Sequence, residues 1–146
     1  MNKVQLKVKD LMQDSVYAVS QDDMIDRVFF LLHYEKIRHL PVVKKGKVVG
    51  IVTDRDLYKA LGPKSNSNGI TKVNGEVVQY FIPRKVRNIM HRGVITIEPD
   101  ENAALAASLM AEQKVGALPV VHKGKLAGII TATDILKVFA EQYEDA

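Results

Sequence analysis

Thr53 and Asp56 stand three residues apart, and Thr131 and Asp134 repeat the spacing. A glycine lies three residues before each threonine, at Gly50 and Gly128, so the chain carries Gly-x-x-Thr-x-x-Asp twice. These residue types suit a nucleotide. A carboxylate can accept two hydrogen bonds from the vicinal hydroxyls of a ribose. A threonine hydroxyl and the free N–H groups of a helix start can bind a phosphate. An apolar strand edge can hold an adenine ring. The pattern has a second use, however. Thr-x-x-Asp ahead of an apolar helical run is close to a capping box and needs no ligand. Finding it twice does not decide between the two, because a duplication copies caps as well as sites.

The motifs sit inside a longer repeat. Leu40 to Asp56 reads LPVVKKGKVVGIVTDRD and Leu118 to Asp134 reads LPVVHKGKLAGIITATD, with eleven of seventeen positions identical and no gap. Pro41 and Pro119 set the offset at 78 residues (119 − 41). The same offset matches Val8 with Val86, Met12 with Met90, Asp22 with Asp100 and Lys59 with Lys137. Two copies of one unit therefore fill most of the chain.

Hydrophobic periodicity gives each copy the order β-α-β-β-α. Val16 to Val19 reads as a strand, Asp23 to Tyr34 as an amphipathic helix, His39 to Val43 and Lys47 to Thr53 as strands, and Asp54 to Leu61 as a helix. In the second copy Val94 to Ile97 is the strand and Glu101 to Gln113 the helix; Ala117 to Val121 and Lys125 to Thr131 are strands, and a helix runs from Ala132 to about Tyr143. Lys44-Lys45-Gly46 and Lys123-Gly124 are turns, with glycine able to supply a positive φ. Residues 1–15 are a lead-in. Between the copies, Asn74-Gly75 flanked by apolar residues signals a hairpin, while Val77 to Ile82 reads alternatively as a helical turn. One copy of about 50 residues is small for a core of its own. Its strands are apolar on both faces, as in Val48, Val49, Ile51 and Val52. The fold class expected is α+β, with tandem repeats packed sheet to sheet about a pseudo-two-fold axis.

Composition narrows the functional classes. The 146 residues are 47% hydrophobic and 26% charged, ordinary for a globular protein. There is no cysteine, which excludes disulfides and thiolate metal sites. No apolar run approaches the ~18 residues of a membrane span, and the N-terminal residues lack a signal-peptide core. A cytoplasmic location is expected. A net charge of +4 permits an anionic ligand without demanding nucleic acid. Lys44, Lys45, Lys47, Lys123 and Lys125 sit on the two turns without interleaved aromatics, which argues for solvated turn residues.

The chain resembles a pair of CBS domains (cystathionine-β-synthase domains), a Bateman module. The residues that carry the resemblance are Val8 to Met12, Asp22, Ile37 to Val43 and Gly50 to Asp56, echoed by Val86 to Met90, Asp100, Val115 to Val121 and Gly128 to Asp134. The first repeat then spans 8–61 and the second 86–140, with 62–85 as linker or insert. The resemblance implies that Asp56 and Asp134 hold ribose and that Thr53 and Thr131 lie by phosphate, in a cleft between the copies. It places Arg38, His39 and Arg55 at phosphate, where the second copy has Gly116, Ala117 and Thr133. The bland alternative for these three is solvated charge or a structural histidine. One site would join Thr131 and Asp134 with Arg55, aided by Arg38 or His39, and rest adenine on Val16, Tyr17 and Ala18. The other would join Thr53 and Asp56 with Arg38 and His39, and rest adenine on Val94, Ile95 and Thr96.

Enzyme readings find little. His33, His39, His91 and His122 show no metal-ligand spacing, and no P-loop or Gly-x-Ser-x-Gly elbow occurs. Neither a metal nor a cofactor is expected. The leading expectation is a stand-alone regulatory sensor of AMP, ADP, ATP or a related adenosyl ligand. It would form a homodimer through its helices and signal to a separate protein partner. The alternative is an interaction scaffold whose nucleotide sites are vestigial.

Overall fold

A computed structural model describes residues 5–61, 70–73, 76–79 and 84–144. In chain order the elements are α1 (Val8–Leu11), α2 (Ile25–Tyr34), β1 (His39–Lys44), β2 (Lys47–Thr53), α3 (Asp54–Leu61), β3 (Ile70–Val73), β4 (Glu76–Gln79), a 3-10 turn (Val86–Asn88), α4 (Ala103–Gln113), β5 (Ala117–His122), β6 (Lys125–Thr131) and α5 (Ala132–Tyr143). The class is α+β. Strands β1–β2, β3–β4 and β5–β6 form three two-stranded sheets. The pairs β3–β4 and β5–β6 are antiparallel.

Local chemistry explains most boundaries. Ile25, Val28 and Leu32 are the buried stripe of α2, at helical spacing. This helix starts two residues later than the apolar pattern suggests. The Asp23 carboxylate accepts the Ser20 N–H at 2.8 Å and so closes the preceding turn. Helix α4 likewise starts after Asn102, whose side chain accepts the Ala104 N–H at 2.8 Å. The turns carry positive φ at two residues each, Lys45 and Gly46, then Lys123 and Gly124. That pattern matches the twist of a tight hairpin. The hairpin reading of the inter-repeat segment is realised, with Val73 opposite Glu76; Asn74, Gly75 and residues 80–82 lie outside the described residues. The lead-in forms one helical turn, α1, which periodicity does not foresee.

The strands expected at Val16–Val19 and Val94–Ile97 shrink to single parallel bridges, Val19 with Val42 and Ile97 with Val120. The Val19 N–H donates to the Pro41 carbonyl at 3.0 Å, and the Val43 N–H donates to the Val19 carbonyl at 2.9 Å. Extending the ladder by one pair would need an N–H from Pro41, and proline has none. Pro119 stops the second ladder in the same way, after the Ile97 N–H bonds its carbonyl at 3.1 Å.

The chain forms two compact units. One comprises Tyr17–Lys45 and Val49–Gly93; its core includes Val28, Leu40, Val42, Val52, Val86 and Met90. The other comprises Met1–Val16, Gly46–Val48 and Val94–Ala146, with Val8, Ala106, Leu118, Val120 and Ile130 at its centre. Each unit thus takes in the opening segment of the other repeat. Val86 is fully buried beside the first repeat, and Val8 beside the second. Equivalent backbone bonds pin them: Val86 N–H to Asp23 O at 2.8 Å, and Val8 N–H to Glu101 O at 2.9 Å. Equivalent ion pairs follow, Arg87 with Asp22 and Lys9 with Asp100. Among the described residues no helix is long and apolar enough to cross a membrane.

Candidate functional site

Each Gly-x-x-Thr-x-x-Asp motif spans the end of a strand and the first turn of a helix, β2 into α3 and β6 into α5. Both form capping boxes. The Thr53 N–H and hydroxyl donate to Asp56 Oδ2 at 2.9 and 3.0 Å, and the Asp56 N–H donates to Thr53 Oγ1 at 3.2 Å. The corresponding distances at Thr131 and Asp134 are 2.8, 3.0 and 3.3 Å. One carboxylate oxygen of each aspartate is therefore engaged by the fold itself, and only Oδ1 is left for other work.

The glycines also have a structural reason. A Cβ on Gly50 would stand 2.8 Å from the His91 carbonyl, and one on Gly128 would stand 2.7 Å from the Gln13 carbonyl. Only a residue without a side chain lets those segments lie against the strands. The contact is a short backbone ladder: Ile51 and His91 exchange hydrogen bonds at 3.0 and 2.9 Å, and Ile129 and Gln13 do so at 2.9 and 2.8 Å.

That ladder brings two residues to the site that motif reading overlooks. His91 Nε2 lies 2.6 Å from Asp56 Oδ1. Gln13 Nε2 lies 3.5 Å from Asp134 Oδ1, at the outer limit of a hydrogen bond. The signal was present in the repeat, since the offset that aligns Met12 with Met90 also aligns Gln13 with His91. Asp56 is 7% exposed, whereas Asp134 is half-buried.

The basic residues cluster around the first motif. His39 is half-buried, and this burial pushes its imidazole below the ordinary histidine range; the Arg38 charge adds to the shift while Asp54 and Asp56 oppose it. Arg38 and Arg55 are exposed. The Arg38 carbonyl accepts the Asp54 N–H at 3.0 Å, which ties the residue before β1 to the start of α3. Its side chain lines a groove of about 300 Å³ together with Phe29, Lys36, Asp54, Leu57 and Tyr58. In the first unit, then, Thr53, Asp56 and His91 come together, His39 stands close enough to Asp56 to feel its charge, and Arg38 faces a groove lined by Asp54 rather than Asp56. In the second, Thr131 and Asp134 stand with Gln13 and have no such basic group beside them in the aligned positions.

The segments proposed to support adenine differ in chemistry. Val16 and Ala18 are half-buried and Tyr17 is exposed. The Tyr17 hydroxyl bonds Glu35, and that bond and the carboxylate charge raise its pKa above the usual tyrosine value. Val94 and Ile95 are half-buried, Ile95 packs on the core, and Thr96 is exposed.

Comparison with known proteins gives a consistent picture. The family model described as CBS domain matches residues 8–63 and again 86–141. A CBS domain-containing protein of Dictyostelium discoideum is 34% identical over 139 residues, covering 94% of this chain and 93% of that protein. A homoserine O-acetyltransferase of Methanococcoides burtonii is 36% identical over 130 residues, yet the chain spans only 23% of that protein's length. Among solved structures, the CBS domain pair of protein MJ0100 in complex with 5-methylthioadenosine and S-adenosyl-L-methionine superposes with a TM-score of 0.78 at 28% identity, covering 95% of this chain and 99% of that one. CBSX2 in complex with AMP superposes with a TM-score of 0.72 at 28% identity, covering 93% and 97%.

Proposed function

The chain belongs to the CBS-domain family, and on that premise we propose that it is a non-catalytic regulatory module that senses an adenine nucleotide (AMP, ADP or ATP) or a related adenosyl ligand. The observation that carries the reading is Asp134. Its Oδ2 is held by the capping box, which fixes the carboxylate, and among the described residues its Oδ1 has only a 3.5 Å contact, to the Gln13 amide. A fixed, half-buried carboxylate with one oxygen on offer suits a ribose hydroxyl. The first turn of α5 adds backbone N–H groups. The two solved relatives that hold adenosyl compounds support the choice of ligand class.

We assign ribose contacts to Asp56 and Asp134 and phosphate-side contacts to Thr53, Thr131, Arg38, His39 and Arg55. Adenine support falls to Val16, Tyr17 and Ala18 and to Val94, Ile95 and Thr96. Binding signals to a partner chain by shifting a conformational equilibrium, and it does so only as far as the ligand prefers one state.

Self-association has its own observation. Leu136, Phe139 and Tyr143 form an exposed apolar stripe along α5, at 65%, 62% and 58% exposure, and Phe30 and Tyr34 are exposed on α2. A homodimer would cover such faces. This stripe also favours the second reading, a scaffold with vestigial sites.

A thermal-shift screen with AMP, ADP, ATP, S-adenosylmethionine and NAD separates the readings. A sensor at a hundredfold its Kd gains about 2.7 kcal/mol from its ligand, and Asp134→Ala removes that increment. A scaffold shows no increment with any of the five, while partner binding or self-association survives both Asp56→Ala and Asp134→Ala.

A further inference from the structure

We propose that His91 is a built-in competitor for the Asp56 carboxylate, which makes the two adenosyl sites unequal: the Asp134 site fills first, and the Asp56 site fills only when His91 swings away. The proposal rests on the sensing function above.

The two halves of the molecule supply the control. Residues 13 and 91 occupy equivalent places, each locked by a reciprocal pair of backbone hydrogen bonds to the strand end that opens the motif, His91 with Ile51 and Gln13 with Ile129. Their side chains therefore leave equivalent backbone positions toward equivalent aspartates, and only their chemistry differs. The imidazole reaches Asp56 Oδ1 at 2.6 Å. The longer, more flexible amide stops 3.5 Å from Asp134 Oδ1.

At Asp56 every carboxylate oxygen already receives a donor, Oδ2 from Thr53 and Oδ1 from His91. An ionised carboxylate only accepts, so Nε2 carries the shared proton. With the side chain 7% exposed, a ribose diol has no open approach while His91 is in place. Yet 65% of the His91 side chain is exposed. Rotating it outward removes no core packing, so the contact is displaceable. A hydrogen bond to a charged group is among the stronger neutral-pH contacts of its kind, and losing it must be set against what the ligand gains.

Isothermal titration with AMP, and with S-adenosylmethionine as a second probe, tests this. In an Asp134→Ala background only the Asp56 site remains. There His91→Gln, which copies Gln13, tightens binding by about tenfold, the worth of one such hydrogen bond. In an Asp56→Ala background the reciprocal Gln13→His weakens the Asp134 site by a similar factor. Because residue 91 is exposed and glutamine keeps an N–H donor, the variant folds; its urea midpoint checks that. Binding that His91→Gln leaves unchanged overturns the competitor role and leaves the sensing function standing. Failure of wild type and every variant to bind either probe overturns both.

Discussion

Gly50 and His91 are in backbone contact so close that a Cβ on the glycine would stand 2.8 Å from the His91 carbonyl oxygen. The Met90 sulfur lies a further tenth of an ångström out, at 2.9 Å. The first residue of the Gly-x-x-Thr-x-x-Asp motif is thus a packing requirement of the fold. Gly50→Ala is expected to cost about 1–3 kcal/mol, as overpacking does. Without the clash, replacing a strand glycine by alanine would be neutral or stabilising. Urea unfolding of Gly50→Ala and Gly128→Ala reads the sign, and both variants should lose stability.

Thr53 and Thr131 close capping boxes of matching geometry. Thr53→Ala and Thr131→Ala should each lower the stability of the ligand-free protein by about 0.5–2 kcal/mol, the usual worth of such a cap. If the threonines act only on ligand, the denaturation midpoints of the ligand-free variants will equal that of wild type.

Met90 tests the place of the segment that opens the second repeat. It is 9% exposed and belongs to the core of the unit built on the first repeat. Met90→Ala should cost about 2–5 kcal/mol, as for other buried large-to-small changes. A mere tether between domains would tolerate the change within about 0.5 kcal/mol.

His39 gives stability a pH dependence. Burial holds its folded-state pKa below the unfolded value, so on acidification the unfolded chain binds the proton first. Stability therefore falls as pH drops below about 6.5, the ordinary histidine value, and the loss is complete once pH has passed below the folded-state pKa. His39→Gln should flatten the slope of unfolding free energy between about pH 7 and 5. An unchanged slope would sink the assignment.

Arg87 and Asp22 form an exposed ion pair across the entry to α2. A double-mutant cycle with Arg87→Ala and Asp22→Ala should return less than about 1 kcal/mol of coupling, diminishing with added salt. The attachment of this segment lies in Val86 and in the backbone bonds, so a coupling several times larger would show that weighting to be wrong.

The repeat, the four longer helices, the two hairpins closed by Lys-Gly turns and the α+β class are all legible in the residues alone. Those follow from local rules: apolar spacing, capping residues and turn glycines act over a few residues and are legible without a partner. The sequence also located Thr53, Asp56, Thr131 and Asp134, though it left cap and ligand site as rival readings. Both capping boxes form, and a capped aspartate still has a second oxygen, so the rivalry was partly false. The remainder depends on residues far apart in sequence. Pro41 and Pro119 shorten ladders because a missing N–H matters only once a neighbour is chosen. Val8 and Val86 fill cores beside the opposite repeat. His91 reaches Asp56 across 35 residues of chain while Gln13 stops short of Asp134. The offset of 78 aligns those two residues, but alignment carries no distance. Whether a side chain donates at 2.6 Å or idles at 3.5 Å is set by the backbone that packing brings against it.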